Sequence, residues 1–302
     1  MVLQLLKEED NMKLLVNLNK KNIFDYLGYT NSFIIGLKDF SINSLELAKE
    51  EIKNLLEEYP NIELFVSINK NIFNSDLELL EENLLYLNNL NIKGVLFYDL
   101  AIVSLKKRLN LNYDLVWASD HLVTNYNTCN YYLEKGCSYA YISSDITVSE
   151  IKEIHDKSTI KLISLVFGHP MVSFSKRKLL SNYFTYSKLD NDNNDYYEIN
   201  SGNSENYLIK ETDKGTSISY GKVLNGIKPM SELLDTLEYG VLDENYVSHE
   251  LFINVLKIYK DFIDNKISID EANDKIISLT GSSDTLFYYR KTIYRVKDEK
   301  KN

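Results

Sequence analysis

Short apolar runs alternate with helical stretches through the first 168 residues of the chain. Seven of these runs have the length and composition of β-strands. They cover residues 12–18, 32–37, 62–69, 93–99, 114–119, 137–144 and 159–168. An eighth candidate, 239–243, precedes a helical stretch over 248–265. Alternating strands and helices predict right-handed parallel crossovers, and eight such strands predict an α/β fold of the (β/α)8 TIM-like barrel class.

The spacing of apolar residues between the strands supports this interpretation. The clearest helix is predicted over 44–59, with Ser44 as its N-cap and Pro60 after its end. A second helix is predicted from Ser75, with acidic residues in its first turns, where the helix dipole favours them. A doubly wound open sheet is the alternative fold. It is less favoured because no glycine-rich dinucleotide loop follows any of the strands.

The segment between the seventh and eighth strands has a different pattern. Residues 186–229 are polar and rich in turns, and they predict a β-hairpin insertion, with turns at 213–215 and at 225–226. We therefore divide the chain into barrel strands one to seven (1–185), the insertion (186–229), and the last strand and helix with a C-terminal segment (230–302). That last segment is predicted to contain a helix over 268–279 and a final strand over 285–296.

Composition narrows the class of protein. Hydrophobic residues make up 44% of the 302 residues, which is ordinary for a globular protein. No apolar run approaches the roughly 18 to 20 residues of a membrane span, and the acidic N-terminus does not resemble a signal peptide. We therefore expect a cytoplasmic protein without a membrane partner. The net charge of −10 means that binding to nucleic acid would need a local basic patch.

Candidate chemistry is expected at the carboxyl ends of the strands, where barrel enzymes place their active sites. The polar residues at these positions are Asn69, Asp99, Ser119, Asp120, His121, Ser143, Ser144, Asp145 and His169. Asp120 and His121 are a candidate acid–base pair, with Asp99 as a further catalytic candidate. Neighbours in a loop seldom face the same way, so a solvated pair is the alternative. Cys129 is a candidate nucleophile but is more typical of a buried core residue.

A basic, hydroxyl-rich stretch follows the seventh strand. Ser175, Lys176, Arg177, Lys178, Ser181 and Asn182 combine charge with hydrogen-bond donors near a predicted helix start. Such a group is suited to a phosphate or another anion. The alternative is a basic loop that pairs with the acidic surface of the same protein.

This stretch resembles a known family signature. The segment VFGHPMVSFSKRKLLSNYF (166–184) is similar to the signature of the collagenase-like peptidase family, peptidase family U-32. TNYNTCNYYLEKG (124–136) and the hairpin region around 210–227 are similar to other segments of that family.

The resemblance implies a barrel, and the family is named for protease activity. Members of the family also act in transfer-RNA wobble uridine 5-hydroxylation, ribosomal RNA cytidine hydroxylation and ubiquinone synthesis. Several carry a four-iron cluster on four cysteines, and some work as pairs of related chains.

The chain departs from that signature at the cysteines. Aligned through Ser181, the two signature cysteines fall on Met171 and Lys178, and no cysteine follows Cys137. Thioether and ammonium groups cannot replace thiolates, so we expect no iron–sulfur cluster and no metal. From the basic stretch and the resemblance together, we predict a set of substrate- or anion-binding residues. These are Gly168, His169, Ser175, Lys176, Arg177, Ser181, Asn182, Asn125 and Asn130.

The resemblance to the family, together with the absence of the signature cysteines, leaves three possible functions. The first is a cluster-free member that takes part in transfer-RNA uridine hydroxylation, with transfer RNA and a cluster-bearing sibling as partners. The second is a collagenase-like protease, for which the sequence offers no recognisable triad or metal constellation. The third is a non-catalytic binding subunit of a cluster-bearing sibling.

Overall fold

The computed structural model describes residues 12–290 except 120, 191, 193, 201 and 203–205. The strands in this part of the chain are, in order, β1 (Lys13–Asn17), β2 (Ser32–Leu37), β3 (Glu46–Leu47), β4 (Glu63–Ile68), β5 (Gly94–Phe97), β6 (Asp114–Trp117), β7 (Tyr139–Tyr141), β8 (Lys161–Gly168), β9 (Met171–Ser175), β10 (Tyr197–Asn200), β11 (Asn206–Thr212), β12 (Gly215–Tyr220), β13 (Leu224–Asn225) and β14 (Leu237–Asp243). The α-helices are α1 (Lys49–Glu58), α2 (Leu77–Leu87), α3 (Ala101–Leu109), α4 (Tyr126–Glu134), α5 (Val148–Lys157), α6 (Leu179–Ser187), α7 (Ile227–Ser231), α8 (His249–Ile263) and α9 (Ile269–Thr280).

Eight parallel strands close into a barrel, which confirms the predicted (β/α)8 fold. The order around the barrel is β1, β2, β4, β5, β6, β7, β8 and β14, and β14 pairs again with β1. The closing register places Asn17 opposite Asp243. The seven predicted strands of the first half and the eighth at 239–243 all lie on barrel strands. The helices that alternate with these strands along the chain pack on the outside of the barrel.

Large side chains fill the lower half of the barrel. The ring of Phe65 packs edge-to-face against Tyr139 and Tyr239, with ring centroids 5.9 Å and 5.4 Å away. All three side chains are almost completely buried. The hydroxyl of Tyr239 donates to Glu63 Oε2 at 3.0 Å, which satisfies the polar end of the ring. The open space in the barrel is therefore at its other end, where the strands finish.

Two predicted helix starts are wrong because other local structure occupies the first predicted residues. Residues 46–47 form β3 and pair with β2, so α1 begins at Lys49 rather than after Ser44. The Ala48 N–H donates to Glu51 Oε2 at 2.9 Å, and Ser44 instead donates its hydroxyl to Asn17 Oδ1 at 2.9 Å. Ser75 lies in a 3-10 turn ahead of α2. Backbone pairing and a tighter first turn override the local signals of the sequence.

An antiparallel sheet lies between β8 and β14. Its order is β10, β11, β12 and β9, with α6 between β9 and β10. Residues 213–214 form the turn between β11 and β12. From this turn Lys214 reaches the β2–β3 loop, where Nζ donates to the Ser41 carbonyl oxygen at 3.2 Å and pairs with Glu46. The sheet therefore lies across the mouth of the barrel rather than away from it.

The remaining predictions for the second half have mixed outcomes. The turn predicted at 225–226 is not a hairpin turn, because β13 pairs with β8 and Gly226 leads into α7. Ser248 and Ser268 cap α8 and α9, close to the predicted helix starts. Residues 286–289 form a turn rather than the start of a strand, and 291–296 lie outside the described residues. No helix in the described chain is long and apolar enough to cross a membrane.

Candidate functional site

A cavity of about 130 Å³ opens at the mouth of the barrel, between the strand ends and the antiparallel sheet. An engineered cavity of about 150 Å³ holds one benzene ring, so this cavity has the size of a single small ring. Its polar lining comes from nearly every strand end. The polar lining residues are Asn17, Asn43, Ser44, Ser67, Asn69, Tyr141, Ser144, His169, Ser219, Asp243, Asn245 and Tyr246.

Asp243 is the only carboxylic acid among the described residues that line this cavity. It stands at the end of β14, and both hydrogen bonds from Asn245 end on its Oδ1 atom. The backbone N–H lies 2.8 Å away and the side-chain Nδ2 lies 2.7 Å away. Burial raises the pKa of Asp243 to about 6, against the opposing effect of hydrogen bonds from Asn245 and Asn17. The cavity therefore contains a carboxyl group that titrates not far below neutral pH.

Three asparagines hold the loops around this carboxyl group. The Asn43 carbonyl oxygen accepts from Asn17 Nδ2 at 3.2 Å and from Asn245 Nδ2 at 2.8 Å. Asn43 itself has φ of 56°, in the left-handed region that asparagine tolerates better than most residues. These bonds connect the ends of β1 and β14 to the loop after β2. The amide protons of Asn245 are both used within the protein.

His169 forms part of the wall as a neutral acceptor. Its Nδ1 atom lies 2.8 Å from the Tyr220 carbonyl oxygen, and a carbonyl oxygen only accepts, so Nδ1 carries the proton. Burial lowers the pKa of His169 below its usual value, although the hydrogen bond to Tyr220 opposes this. The ring packs edge-to-face on Tyr246 at 5.9 Å between centroids. Nε2 is therefore a lone-pair acceptor near neutral pH, which does not suit an anionic ligand.

Gly168 is required by close packing between β8 and β14. Its φ is +130°, and a Cβ atom at this position would lie 2.8 Å from Asp243 Cβ and 2.9 Å from the Asp243 carbonyl oxygen. Only glycine avoids both the strained backbone and the overlap. The residue therefore allows β8 to lie close to Asp243, which lines the cavity, and offers no side chain to a ligand.

The basic turn Lys176–Lys178 (residues 176–178) lies outside the cavity, at the end of β9. Lys176 places its ammonium group 3.3 Å from the ring centroid of Phe73, on the loop after β4. Among the residues that the structure describes, none of the three basic side chains forms an ion pair. The alternative in which this loop pairs with the acidic surface has no support in the described contacts.

The start of α6, after the basic turn, already holds a carboxylate. Glu211 Oε2 accepts from the backbone N–H groups of Leu180 and Ser181, at 2.8 Å and 3.2 Å, and Oε1 accepts from the Ser181 hydroxyl. Partial burial acts to raise the pKa of Glu211, but these bonds outweigh it and hold the pKa below its usual value. An external anion at Ser181 would have to displace Glu211, so the basic side chains are the better anion contacts.

Several predicted residues have structural partners. Asn69 bonds both to the backbone of Ile42 and to the Ser41 hydroxyl, which shapes the loop after β2. Asp99 accepts from the N–H groups of Ile72 and Ala101. Asn125 caps α4 through Thr128, and Asn130 donates to the Lys157 carbonyl oxygen. Of these residues only Asn69 lines the cavity, where its Oδ1 atom and one proton of its Nδ2 group already bond within the protein.

Of the predicted acid–base pair, only His121 lies among the described residues, and it does not line the cavity. Asp120 lies outside the described residues. His121 bonds through Nδ1 to Asp145 Oδ2 at 2.9 Å, and both side chains are more than half exposed. Ser143 is buried and bonds Asp145 locally, and Ser119 is also buried. Among the described candidates at the ends of β6 and β7, which are Ser119, His121, Ser143, Ser144 and Asp145, Ser144 alone lines the cavity.

The comparisons with known proteins decide the family. The model of peptidase family U32 matches residues 29–289, which is most of the chain. The chain belongs to peptidase family U32.

Relatives of this U32 protein carry two kinds of description. "tRNA hydroxylation protein P2" of Bacillus subtilis (strain 168) is 23% identical over 284 residues, which is 87% of this chain and 92% of that protein. "tRNA hydroxylation protein P1" of the same organism is 24% identical over 56% of this chain and 41% of its own length. An uncharacterized protease of Methanocaldococcus jannaschii is 25% identical over 86% of this chain and 64% of its own length.

The donor set of this U32 chain does not fit the iron–sulfur cluster that the family signature implies. Met171 lines the cavity and its Sδ atom accepts from Asn43 Nδ2 at 3.1 Å, while Lys178 is exposed. Cys129 and Cys137 are buried, and burial raises the pKa of each thiol to about 12. Within the described residues no group of three or more His, Cys, Asp or Glu side chains is placed to hold a metal.

The residues that sequence reasoning missed are Asp243, Asn245, Asn43 and Asn17. The rule that function lies at strand ends applies equally to the first and last strands. Asn17 ends β1 and Asp243 ends β14, so the same rule, used on all eight strands, would have found them. Asn43 and Asn245 lie in the following loops and carry no comparable signal.

Proposed function

We propose that this U32 protein takes part in transfer-RNA wobble uridine 5-hydroxylation, as a cluster-free subunit beside a cluster-bearing sibling. The observation that carries the proposal is a ring-sized cavity at the barrel mouth, next to a basic turn without acidic partners among the described residues. Similarity to tRNA hydroxylation protein P2 over 92% of the length of that relative supports the proposal.

The two features suit the two parts of a nucleotide. Enzymes that act on a base take it out of the stack into a small pocket, while phosphates are held by lysine and arginine side chains. β9 runs from Met171, in the cavity wall, to Ser175, next to the basic turn. Its four steps of about 3.3 Å place the two features about 13 Å apart. A base in the cavity and phosphates of the same RNA loop on the turn are compatible with this spacing.

The same geometry disfavours the family's peptidase activity in this chain. The mouth cavity is smaller than the about 300 to 1,000 Å³ of pockets for larger ligands, whereas a more open space of about 740 Å³, lined by His169, Tyr246 and residues 279–285, has that size. Both cysteines are buried and protonated near neutral pH. His169 bonds a carbonyl oxygen and His249 bonds two carboxylates, and neither hydrogen-bonds a serine or cysteine side chain. Activation of a nucleophile by either histidine therefore has no support.

The sibling is inferred from the chemistry that this chain lacks. The hydroxylation reactions of the family involve a cluster in several members, and the positions of two signature cysteines are Met171 and Lys178 here. P1 and P2 are two proteins of one organism, and both are similar to this chain. We therefore assign RNA binding to this chain and redox chemistry to the sibling.

A deletion experiment tests the proposal. The gene is deleted, transfer-RNA nucleosides are measured by mass spectrometry, and the strain is complemented with the wild type or with Arg177→Ala/Lys178→Ala. We expect 5-hydroxyuridine derivatives to disappear on deletion, to return with the wild type and to stay low with the double variant. Lys107→Ala/Lys275→Ala removes the same charge from outer helices and is expected to complement fully.

Binding to purified transfer RNA separates the remaining outcomes. Loss of two phosphate contacts should lower the slope of log K against log salt by about 1.4. An unchanged nucleoside profile after deletion contradicts the modification role. If RNA binding and its salt dependence nevertheless follow the basic turn, the chain is a binding subunit without a part in this modification.

A further inference from the structure

We propose that the mouth cavity recognises one pyrimidine base through a ring N–H group, with Asp243 as the acceptor that determines the preference for uracil. The inference deepens the proposed function, since it assigns the base specificity to this chain rather than to the sibling. The inference depends on the hydrogen-bonding atoms that line the cavity as well as on the volume of the cavity.

The cavity is rich in acceptors. Both donors from Asn245 end on Asp243 Oδ1, and the Asn17 side chain donates a further hydrogen bond to the same carboxylate. A carboxylate has about four acceptor positions, so acceptor capacity remains for a ligand. His169 offers Nε2 as an acceptor, because its proton is held on Nδ1 by the Tyr220 carbonyl oxygen. Both protons of the Asn245 amide are used inside the protein, which leaves its carbonyl oxygen. These acceptors favour a ligand that supplies N–H donors, while the hydroxyl groups of the lining serines and tyrosines can serve its carbonyl oxygens.

Charge excludes the phosphate from this cavity. No lysine or arginine is among the described residues that line it, and its one charged group is the Asp243 carboxylate. An anionic ligand would meet repulsion in a partly desolvated site. The phosphate groups belong on the basic turn, and the cavity is left for a neutral ring that carries N–H groups.

Uracil and cytosine differ at ring atom N3, the position that we propose faces Asp243. Uracil carries a proton on N3, whereas N3 of cytosine is an acceptor. The pKa of Asp243 near 6 leaves its carboxyl group ionised at pH 8. A carboxylate held in a buried site gains a charge-assisted hydrogen bond from N3–H of uracil, and it faces a lone pair in cytosine. The cavity should therefore prefer uracil.

The test measures binding of uridine, 3-methyluridine and cytidine to the purified full chain by ligand-observed NMR at pH 8. 3-Methyluridine differs from uridine by replacement of the N3 proton. Loss of a hydrogen bond to a charged group corresponds to roughly a 10- to 100-fold loss of affinity. We expect uridine to bind more tightly than 3-methyluridine and cytidine by a factor in this range.

Asp243→Asn sharpens the test because the orientation of the new amide is constrained. The two donors of Asn245 favour an oxygen at the Oδ1 position, which places the new NH2 group at the Oδ2 position, and the variant keeps one oxygen rather than two for the hydrogen bonds from Asn245 and Asn17. An acceptor is thereby exchanged for a donor at one atom, with little change in shape. We expect the variant to lose its preference for uridine and to bind cytidine better than uridine. Asp145→Asn, on the exposed rim, is the matched control and should keep the wild-type order.

Three outcomes overturn the inference. They are equal binding of uridine and 3-methyluridine by the wild type, an unchanged order of affinities in Asp243→Asn, and no nucleoside binding at concentrations up to about 10 mM. Free nucleosides require neither the sibling nor transfer RNA. A wild-type preference that switches in the variant supports the inference even if deletion leaves transfer-RNA nucleosides unchanged. In that case the base-binding cavity stands and the modification role fails.

Discussion

Asp243→Asn should stabilise the protein at neutral pH, although it alters the proposed binding site. Burial raises the pKa of this carboxyl group from its usual 3.8 to about 6. At a pH between these two pKa values, the Asp243 carboxyl group is protonated in the folded protein and ionised in the unfolded chain. The free energy of unfolding therefore falls as pH rises through this window, and the loss is complete above the folded pKa.

The magnitude follows from the width of that window. A difference of about two pH units, at about 1.36 kcal/mol per unit, amounts to about 3 kcal/mol at pH 8. Asparagine keeps an oxygen for the two donors of Asn245 and carries no charge, so most of this penalty should disappear even though one oxygen fewer is left for the hydrogen bond from Asn17. The variant should be more stable than the wild type by about 3 kcal/mol at pH 8 and by much less at pH 4.5. A binding site that retains such a group trades stability for function.

Urea denaturation of the two proteins at pH 4.5 and pH 8, followed by circular dichroism, measures this difference directly. Taking wild type minus variant at each pH cancels the groups that titrate in both proteins. The reasoning is refuted if the difference in free energy of unfolding is the same at both pH values. It is also refuted if the variant is the less stable protein at pH 8.

Three further predictions follow from the structure. Gly168→Ala should lower the free energy of unfolding by about 3 kcal/mol, because the backbone is left-handed and the new Cβ overlaps Asp243; thermal unfolding measures this. Hydrogen bonds to Glu244 and Asp25 raise the pKa of His249. His249→Gln should therefore cost about 1 kcal/mol at pH 6, a difference that shrinks as pH rises through the folded pKa. Glu211→Ala should cost about 1 kcal/mol and speed amide exchange at the start of α6.

Each of these predictions has a matched control. Gly28→Ala places a Cβ in open space at an ordinary φ and should be nearly neutral. His155→Gln changes an exposed histidine on α5 and should cost much less at pH 6 than His249→Gln. Glu198→Ala removes a carboxylate from β10 without affecting the N–H groups of α6. Equal effects in a variant and its control would contradict the assigned contact.

The barrel was predictable because its signals are local. Strand runs such as 62–69 and 159–168 and helical spacing such as that of 248–265 each depend on neighbouring residues, and parallel crossovers leave few topologies open. The basic turn and the missing cysteines were also visible in the sequence. The start of α1 was not, because residues 46–47 pair with β2, a contact between segments that local propensity does not contain.

The candidate site was predictable only in part for the same physical reason. The sequence by itself determined which residues end strands, so His169, Asn69 and Ser144 could be named in advance. It did not determine which side chains share one cavity. Only barrel closure, which pairs β1 with β14 and sets Asn17 opposite Asp243, brings together residues 226 positions apart. The strand register at that closure decided where the buried carboxylate lies, and register depends on long-range packing rather than on the sequence nearby.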